Sequence, residues 1–294
     1  MVSRLSTGSK LFAACNYTFL LLLSVACVLP LIHILALSLS SGAAASAGIV
    51  KFWPVDFTTS AYENILGKKE YVTAFSVSIQ RVVLGTGLNL LLTVTAAYPL
   101  SKESSYFRYR TFYVWIFVIT MLFSGGLIPW FMTIKSTGLL DTIWALIIPS
   151  AVPVFHVILL LNFFRSLPKE LDESARMDGA GHFTILWKIF VPLSLPALAT
   201  ITLFSMVGHW NSWFDGLILM NNPENYPMQT FLQTIVISKD PRFLSAQEAE
   251  LLQQMSDRTS AAAQIFVAAL PILLVYPFLQ RFFVKGIVMG SVKE

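Results

Sequence analysis

Long apolar runs separated by short polar stretches dominate this chain. Residues 11–39 are almost continuously apolar, and further runs cover 72–100, 111–131, 142–164, 195–220 and 261–283. A helix needs roughly 20 apolar residues to cross the hydrocarbon of a bilayer, and every run reaches that length. The pattern predicts an all-α integral membrane protein with six transmembrane helices, one membrane domain covering 1–294. The first run, at nearly thirty residues, exceeds the roughly 7–15 apolar residues of a secretory signal. We read it as an uncleaved span kinked near Pro30, despite the small residues at 42–48 that offer cleavage-like spacing. Pro149 and Pro153 are tolerated in the fourth span because neighbouring helices satisfy the freed carbonyls, and Ser124, Gly125 and Gly126 loosen the outer end of the third.

The polar stretch 165–194 between the fourth and fifth runs has the pattern of a docking element. Pro168 presets φ for a first helical turn, and Glu170, Asp172 and Glu173 fall where a helix N-terminus favours negative charge. Gly179 supplies a turn and Gly181 follows it. Phe183, Leu186, Trp187 and Phe190 then recur at helical spacing, predicting a second short helix with one apolar face, and Pro192 and Pro196 punctuate its end. The expectation is helix, glycine elbow, helix at a membrane surface.

These residues carry a resemblance. Glu173, Ser174, Ala175, Gly179, Ile189 and Pro192 resemble the EAA loop of the membrane subunits of bacterial ABC importers, and Asp178, Gly179 and Ala180 resemble its sugar-importer branch, the maltose-type permeases. Ser174 stands where that loop usually has a second alanine, and Val191 where it has a leucine. The resemblance implies that Glu173, Ser174, Ala175, Asp178, Gly179 and Ala180 form a cytoplasmic coupling helix seated in a cleft of an ATPase subunit. It further implies two ATPase subunits, a second homologous permease, an external solute-binding protein and a carbohydrate substrate. No GxxxxGK[ST] phosphate cradle occurs, so the chain itself is not expected to be an enzyme or to bind a cofactor; ATP and Mg would be held by the partner subunits.

Composition sharpens the class. The chain is 55% hydrophobic and 12% charged, with mean hydropathy +0.68, outside the range of soluble globular domains, and a net charge of +4 gives no nucleic-acid signal. Cys15 and Cys27 lie about 18 Å apart along one helix, too far for a disulfide. His33, His156, His182 and His209 are scattered and form no metal-ligand spacing. With the N-terminus inside, twelve of the twenty basic residues fall on inner segments, among them Arg4, Lys102, Lys169 and Lys293, against seven outside, among them Lys239 and Arg242. That bias predicts cytoplasmic termini and a cytoplasmic 165–194 loop, and the resemblance implies that the membrane is the bacterial inner one.

Candidate transport residues lie in the spans. Arg81 is the least expected charge in the bilayer region, a functional candidate by default that could instead snorkel to an interface, and Asn89 follows on the same helix. Trp210, Asn211, Ser212, Trp213 and Phe214 resemble the Trp-Asn-x-x-Phe stretch of sugar permeases, where aromatic faces stack on sugar rings and an amide meets hydroxyls; helix packing is the alternative. Residues 221–260 read as a polar outer loop, in which Tyr226, Met228, Gln229 and Phe231 resemble a loop that meets the binding protein. The tail from Pro277 resembles the end of this branch, near the ATPases. Residues 123–130, FSGGLIPW, resemble importers of oligosaccharides from complex polysaccharides such as alginate, and Arg81 would suit a uronate carboxylate. Two other classes stay open: an ion-coupled secondary transporter, which would need titratable groups in the membrane where only Asp215 offers itself, and a membrane assembly subunit that transports nothing.

Overall fold

A computed structural model describes residues 7–238 and 258–290, and every regular element among them is helical. Arg4, Lys239, Arg242 and Lys293, as well as the 239–257 stretch of the outer loop, lie outside the described residues. Three helices are each long and apolar enough to cross a bilayer: α1 (Thr7–Ser38), α4 (Lys69–Ser101) and the final α15 (Arg258–Gly290). Three further pairs of helices pass the same test only together, each bent at a short break, so the chain has up to six spans.

The chain divides into two compact units, residues 1–69 with 236–270, and 70–235 with 271–294. In the first, α1 runs unbroken through Pro30 and is apolar and exposed over most of its length, the surface that lipid would cover. Only its C-terminal end is packed. Ala36 joins Ala44 of α2 (Gly42–Ser46) and Val50 in a small core, Ser41 caps α2 by accepting from the Ala44 N–H, and Ser38 Oγ meets Tyr62 Oη of α3 (Ser60–Leu66) at 2.7 Å. Cys15 and Cys27 are both free thiols.

The second unit contains the long unbroken α4, with Pro99 in its last turn, and the bent pairs. The third run divides into α5 (Arg110–Leu122) and α6 (Leu127–Ser136), which meet at 114°. The predicted single span over 111–131 is therefore corrected to a sharp turn at 123–126. Gly126 sits at φ +86, a conformation that a side chain with a Cβ resists, so the glycine pair does more than loosen a helix end. The fourth run is α7 (Ile143–Ile147), a 3₁₀ turn at Ile148–Ser150 and α8 (Val154–Ser166), bent by 47° where Pro153 lacks an N–H. The fifth, expected as one helix over 195–220, is α12 (Leu195–Asn211), a break at 212–213 and α13 (Phe214–Leu219). The expected polar loop after it contains an apolar helix, α14 (Met228–Ser238).

Between α8 and α12 lies the predicted elbow. Its first arm is α9 (Lys169–Met177); Gly179 turns the chain at φ +79; its second arm is α10 (His182–Ile185), which runs through a π-helical turn at Leu186–Phe190 into α11 (Val191–Leu193), and this arm meets α12 at 82°. Ala175, Ile185, Leu186 and Phe190 pack with Val94, Ala97 and Tyr98 of α4 and with Leu160 and Phe164 of α8 in one apolar cluster. The predicted apolar face of the second arm is thus shifted. Leu186 and Phe190 are buried as expected, but Phe183 and Trp187 are exposed and Ile185 takes their place, because a π turn accommodates more residues than the 3.6 assumed by the spacing.

Candidate functional site

Two polar clusters, one on α4 and one just beyond its end, join that helix to the bent elements. The first centres on Arg81, whose side chain is 2% exposed. Its guanidinium forms a forked ion pair with both oxygens of Asp215 and also donates to the Ser212 carbonyl at 3.3 Å and the Leu146 carbonyl at 3.4 Å. Asp215 is held from the other side by the Ser212 hydroxyl at 2.7 Å and the Gly216 N–H at 2.9 Å. A planar fork of donors matches a carboxylate, and carbonyls freed at a helix break need donors when water is excluded. Arg81 therefore closes the break between α12 and α13 and ties it to α7. The neighbouring Trp213 carbonyl accepts from Thr230 Oγ1 at 2.8 Å, and Gly216 permits that approach, since a Cβ there would overlap the Thr230 hydroxyl.

Asn89 has a related role further along α4, two turns on from Arg81. Oriented to satisfy its neighbours, its amide accepts from His209 Nε2 at 3.2 Å and faces the carbonyls of Gly85, Ser150 and Ala151, the last two belonging to the bend before α8. His209 packs so closely on α4 that a Cβ at Gly85 would lie 2.5 to 2.8 Å from its ring atoms. The hydrogen bonds of Arg81 and Asn89 hold the second, fourth and fifth runs together.

The second ionic cluster lies beside the elbow. Lys102 Nζ is 3.0 Å from Asp172 Oδ1 of α9, and it sits 4.4 Å from the centre of the Tyr98 ring and 4.2 Å from that of Phe190. Arg176, one turn after Asp172, lies 3.3 Å from its second oxygen and stacks its guanidinium over Tyr106. Burial pushes the Lys102 pKa below its usual value, against the opposing pull of Asp172. Nearby, Lys169 and Glu103 form an ion pair that stays largely in solvent. Lys102, Asp172, Lys169 and Glu103 line a cavity of about 540 Å³ with Arg110, Arg165 and Glu173.

The sequence-predicted residues distribute unevenly over this geometry. Ala175 is buried and Ala180 partly so, whereas Glu173, Ser174, Asp178 and Gly179 face outward at the elbow with Met177. Of the expected substrate-path residues, Arg81, Asn89 and Trp210 are packed between helices, Trp210 edge-on to Phe75 at 5.8 Å, while Asn211 and Trp213 reach the surface. With Arg81 engaged by protein groups, the guanidinium pictured as a uronate partner is not turned towards an open site. Among the residues pictured as meeting a binding protein, Met228 is an anchor instead: it is fully buried and its N–H donates to Ser78 Oγ at 2.7 Å. Phe231 meets Tyr71 edge to face, and Tyr226 and Gln229 are half-buried. The α14 helix turns Met228 and Phe231 inward, which the assumption of an irregular loop does not anticipate.

A cavity of about 680 Å³ opens between the α5–α6 turn and the α12–α13 break, lined by Ser124, Trp130, Thr133, Ser212, Phe214 and Asp215. Thr133 and the lining role of Asp215 were not foreseen; a carboxylate beside a predicted aromatic stretch was the signal available. No group of three or more metal-binding side chains occurs among the described residues.

Comparison with known proteins gives a family model, the binding-protein-dependent transport system inner membrane component, that matches residues 104–289. Among similar proteins of Bacillus subtilis (strain 168), protein LplC is 39% identical over 288 residues, covering 97% of this chain and 96% of its own. The polygalacturonan/rhamnogalacturonan transport system permease protein YtcP is 39% identical over 285 residues, covering 97% and 99%. A crystal structure of a bacterial ABC transporter involved in the import of the acidic polysaccharide alginate contains a chain of 34% identity and TM-score 0.84, with 95% of this chain and 98% of that one covered.

Proposed function

Because the chain belongs to the family of binding-protein-dependent transport system inner membrane components, we infer that it is the permease subunit of an ATP-driven importer that carries an oligosaccharide, acidic in overall character, across the cytoplasmic membrane by alternating access. Similarity over nearly the whole chain to a polygalacturonan/rhamnogalacturonan permease and to a chain of an alginate importer supports the substrate class. The complete transporter on this reading has six spans in this chain, a second related permease, two ATPase subunits that bind ATP and Mg, and an external solute-binding protein. The termini and the elbow face the cytoplasm.

The observation that carries the reading is the elbow. Two short helical arms meet at Gly179 and present Glu173, Met177, Asp178 and Phe183 outward, while their inner faces are buried against α4 and α8. An exposed, mostly polar projection fastened to spanning helices is suited to enter a cleft in a soluble partner. Nucleotide binding can drive the cycle only through different affinities for the two states, and the elbow is where that difference enters the membrane domain. The cavity beside Trp130, Phe214 and Asp215 offers ring faces and hydrogen-bonding oxygens to a sugar on its way through. An ion-coupled transporter is less well supported, since the span carboxylate it would need, Asp215, is already paired with Arg81.

The test is ATPase activity of the purified complex in lipid, with and without binding protein, over oligogalacturonides, alginate oligosaccharides and neutral malto-oligosaccharides. Stimulation by acidic sugars is expected, and its loss in Glu173→Ala and in Gly179→Pro, where proline cannot adopt φ +79. Stimulation surviving both substitutions would remove the elbow from the mechanism; transport without ATP would remove the importer.

A further inference from the structure

The importer reading leaves open how movement of the elbow reaches the far side of the membrane domain, and this inference rests on that reading. Of the helix runs in the 70–235 unit, α4 is the one that passes the spanning test unbroken, whereas the third and fourth are bent by 114° and 47°, the elbow's second arm meets α12 at 82°, and the fifth run is interrupted at 212–213. An unbroken helix, as α4 is through Pro99 to Ser101, transmits displacement along its axis; a bent pair absorbs it at the break. Arg81 lies about 30 Å from the C-terminal end of α4 at 1.5 Å per residue. Lys102 follows immediately after that end.

Lys102 touches both arms of the elbow. Asp172 belongs to the first arm and Phe190 to the second, and Tyr98 on α4 closes the cage. The Lys102 and Asp172 side chains are only 10% and 16% exposed. If Asp172 moved without Lys102, a mostly buried ammonium would keep its two ring faces but lose its paired carboxylate, an unfavourable separation. The two groups therefore move together. The other ion pair between the elbow and this loop, Lys169 with Glu103, is 72% and 56% exposed, so water replaces either partner at little cost. It cannot carry the movement.

We propose that Lys102 is a positioning residue for energy coupling: it fastens both arms of the elbow to the C-terminal end of α4, so that displacement of the elbow is delivered along α4 to the Arg81–Asp215 fastening at the break in the fifth span. A contiguous path is by itself only an arrangement, and coupling has to be measured as non-additivity.

The complete complex, with ATPase subunits and binding protein in lipid, is assayed with oligogalacturonide for the ratio of stimulated to basal ATPase and for sugar carried per ATP. Lys102→Met and Asp172→Asn are each expected to lower the ratio at least fivefold while the ATPase subunits remain bound. The double variant should be no worse than either single one, and Lys102→Arg should keep at least half of the ratio. A Lys102→Met ratio within twofold of wild type overturns the proposal, as does multiplication of the two single effects in the double variant. Loss of stimulation only in parallel with loss of the ATPase subunits also overturns it, because Lys102 would then merely support the fold. Should Lys102→Met not assemble, Phe190→Leu, which removes one wall of the cage and leaves no charge unpaired, is expected to lower the ratio two- to threefold; an unchanged ratio refutes the proposal. An unstimulated wild type would instead count against the importer reading with this sugar, so the two failures are distinguishable.

Discussion

The ion pairs at Arg81 and at Lys102 are built from different cations, and the difference suits them to different work. Arg81 engages three groups on two separate stretches through a rigid fork, with both oxygens of one carboxylate in its grasp. Lys102 offers a compact charge on a flexible stem, seated between two rings and one carboxylate. A guanidinium fixes direction as well as distance, whereas an ammonium keeps its attraction while the partner turns about it. The fifth-span break is therefore braced, and the elbow is tethered by a joint that permits rotation.

The largest effect that would break this comparison is expected at the brace. Arg81→Met leaves the partly buried Asp215 carboxylate without its main partner and the Ser212 and Leu146 carbonyls without a donor, and should destabilise the complex by about 3 kcal/mol, the low end for a buried pair, read as a lowered unfolding midpoint in detergent. Replacing both residues, as in Arg81→Met with Asp215→Leu, should recover much of that loss. The comparison itself is sharpened by exchange: Arg81→Lys should cost more stability than Lys102→Arg, and equal costs would mean that the fork has no special role. A wedge near the brace comes next. Gly85→Val drives a side chain into the His209 ring and should cost about 1–3 kcal/mol, with partial recovery when His209→Ala makes room.

Smaller effects are expected where charges meet water. Asp141 gathers the N–H groups of Asn221 and Asn222 and the amide of Asn225, and these bonds, that of Asn225 foremost, hold its carboxyl below the ordinary 3.8. A depressed folded value means that the contribution is full above 3.8 and fades as pH falls through the folded value, so amide exchange at Asn221 and Asn222 should quicken only under strongly acidic conditions. The least change of all is expected from Lys169→Ala, which should leave both stability and coupling near wild type because its pair with Glu103 lies in solvent. A large coupling loss there would overturn the contrast with Lys102.

The straight spans and the elbow were legible because their signals are local. The runs that became α1, α4 and α15 needed only length and apolarity, and Pro168, Gly179 and the acidic first turn marked the two arms before any contact was known. What escaped was set by partners far away in sequence. Arg81 and Asp215 are 134 residues apart, so the sequence offered an isolated cation and an isolated anion, each of which read as a transport candidate. Ser124, Gly125 and Gly126 marked a weak point at 123–126 but not a turn of 114°, and the break at 212–213 carries no glycine or proline to announce it. The inward turn of Met228 depended on Ser78, 150 residues away. The phase error at Phe183 and Trp187 has a different origin, a π turn that no pattern of apolar residues announces.

That separation of Arg81 from Asp215 also bears on how the protein is made. Synthesis runs from the N-terminus, so α4 is made before the segment holding Asp215 exists, and the helix must enter the membrane with a cation whose partner in the folded protein is still to come. A lone arginine near the centre of an inserting helix costs about 2.5–3.5 kcal/mol, and α4, with mean hydropathy 1.4, is the least apolar of the three straight spans. The fifth run therefore completes α4 after the fact, and a chain truncated between the two should insert less efficiently than the same chain with Arg81→Leu.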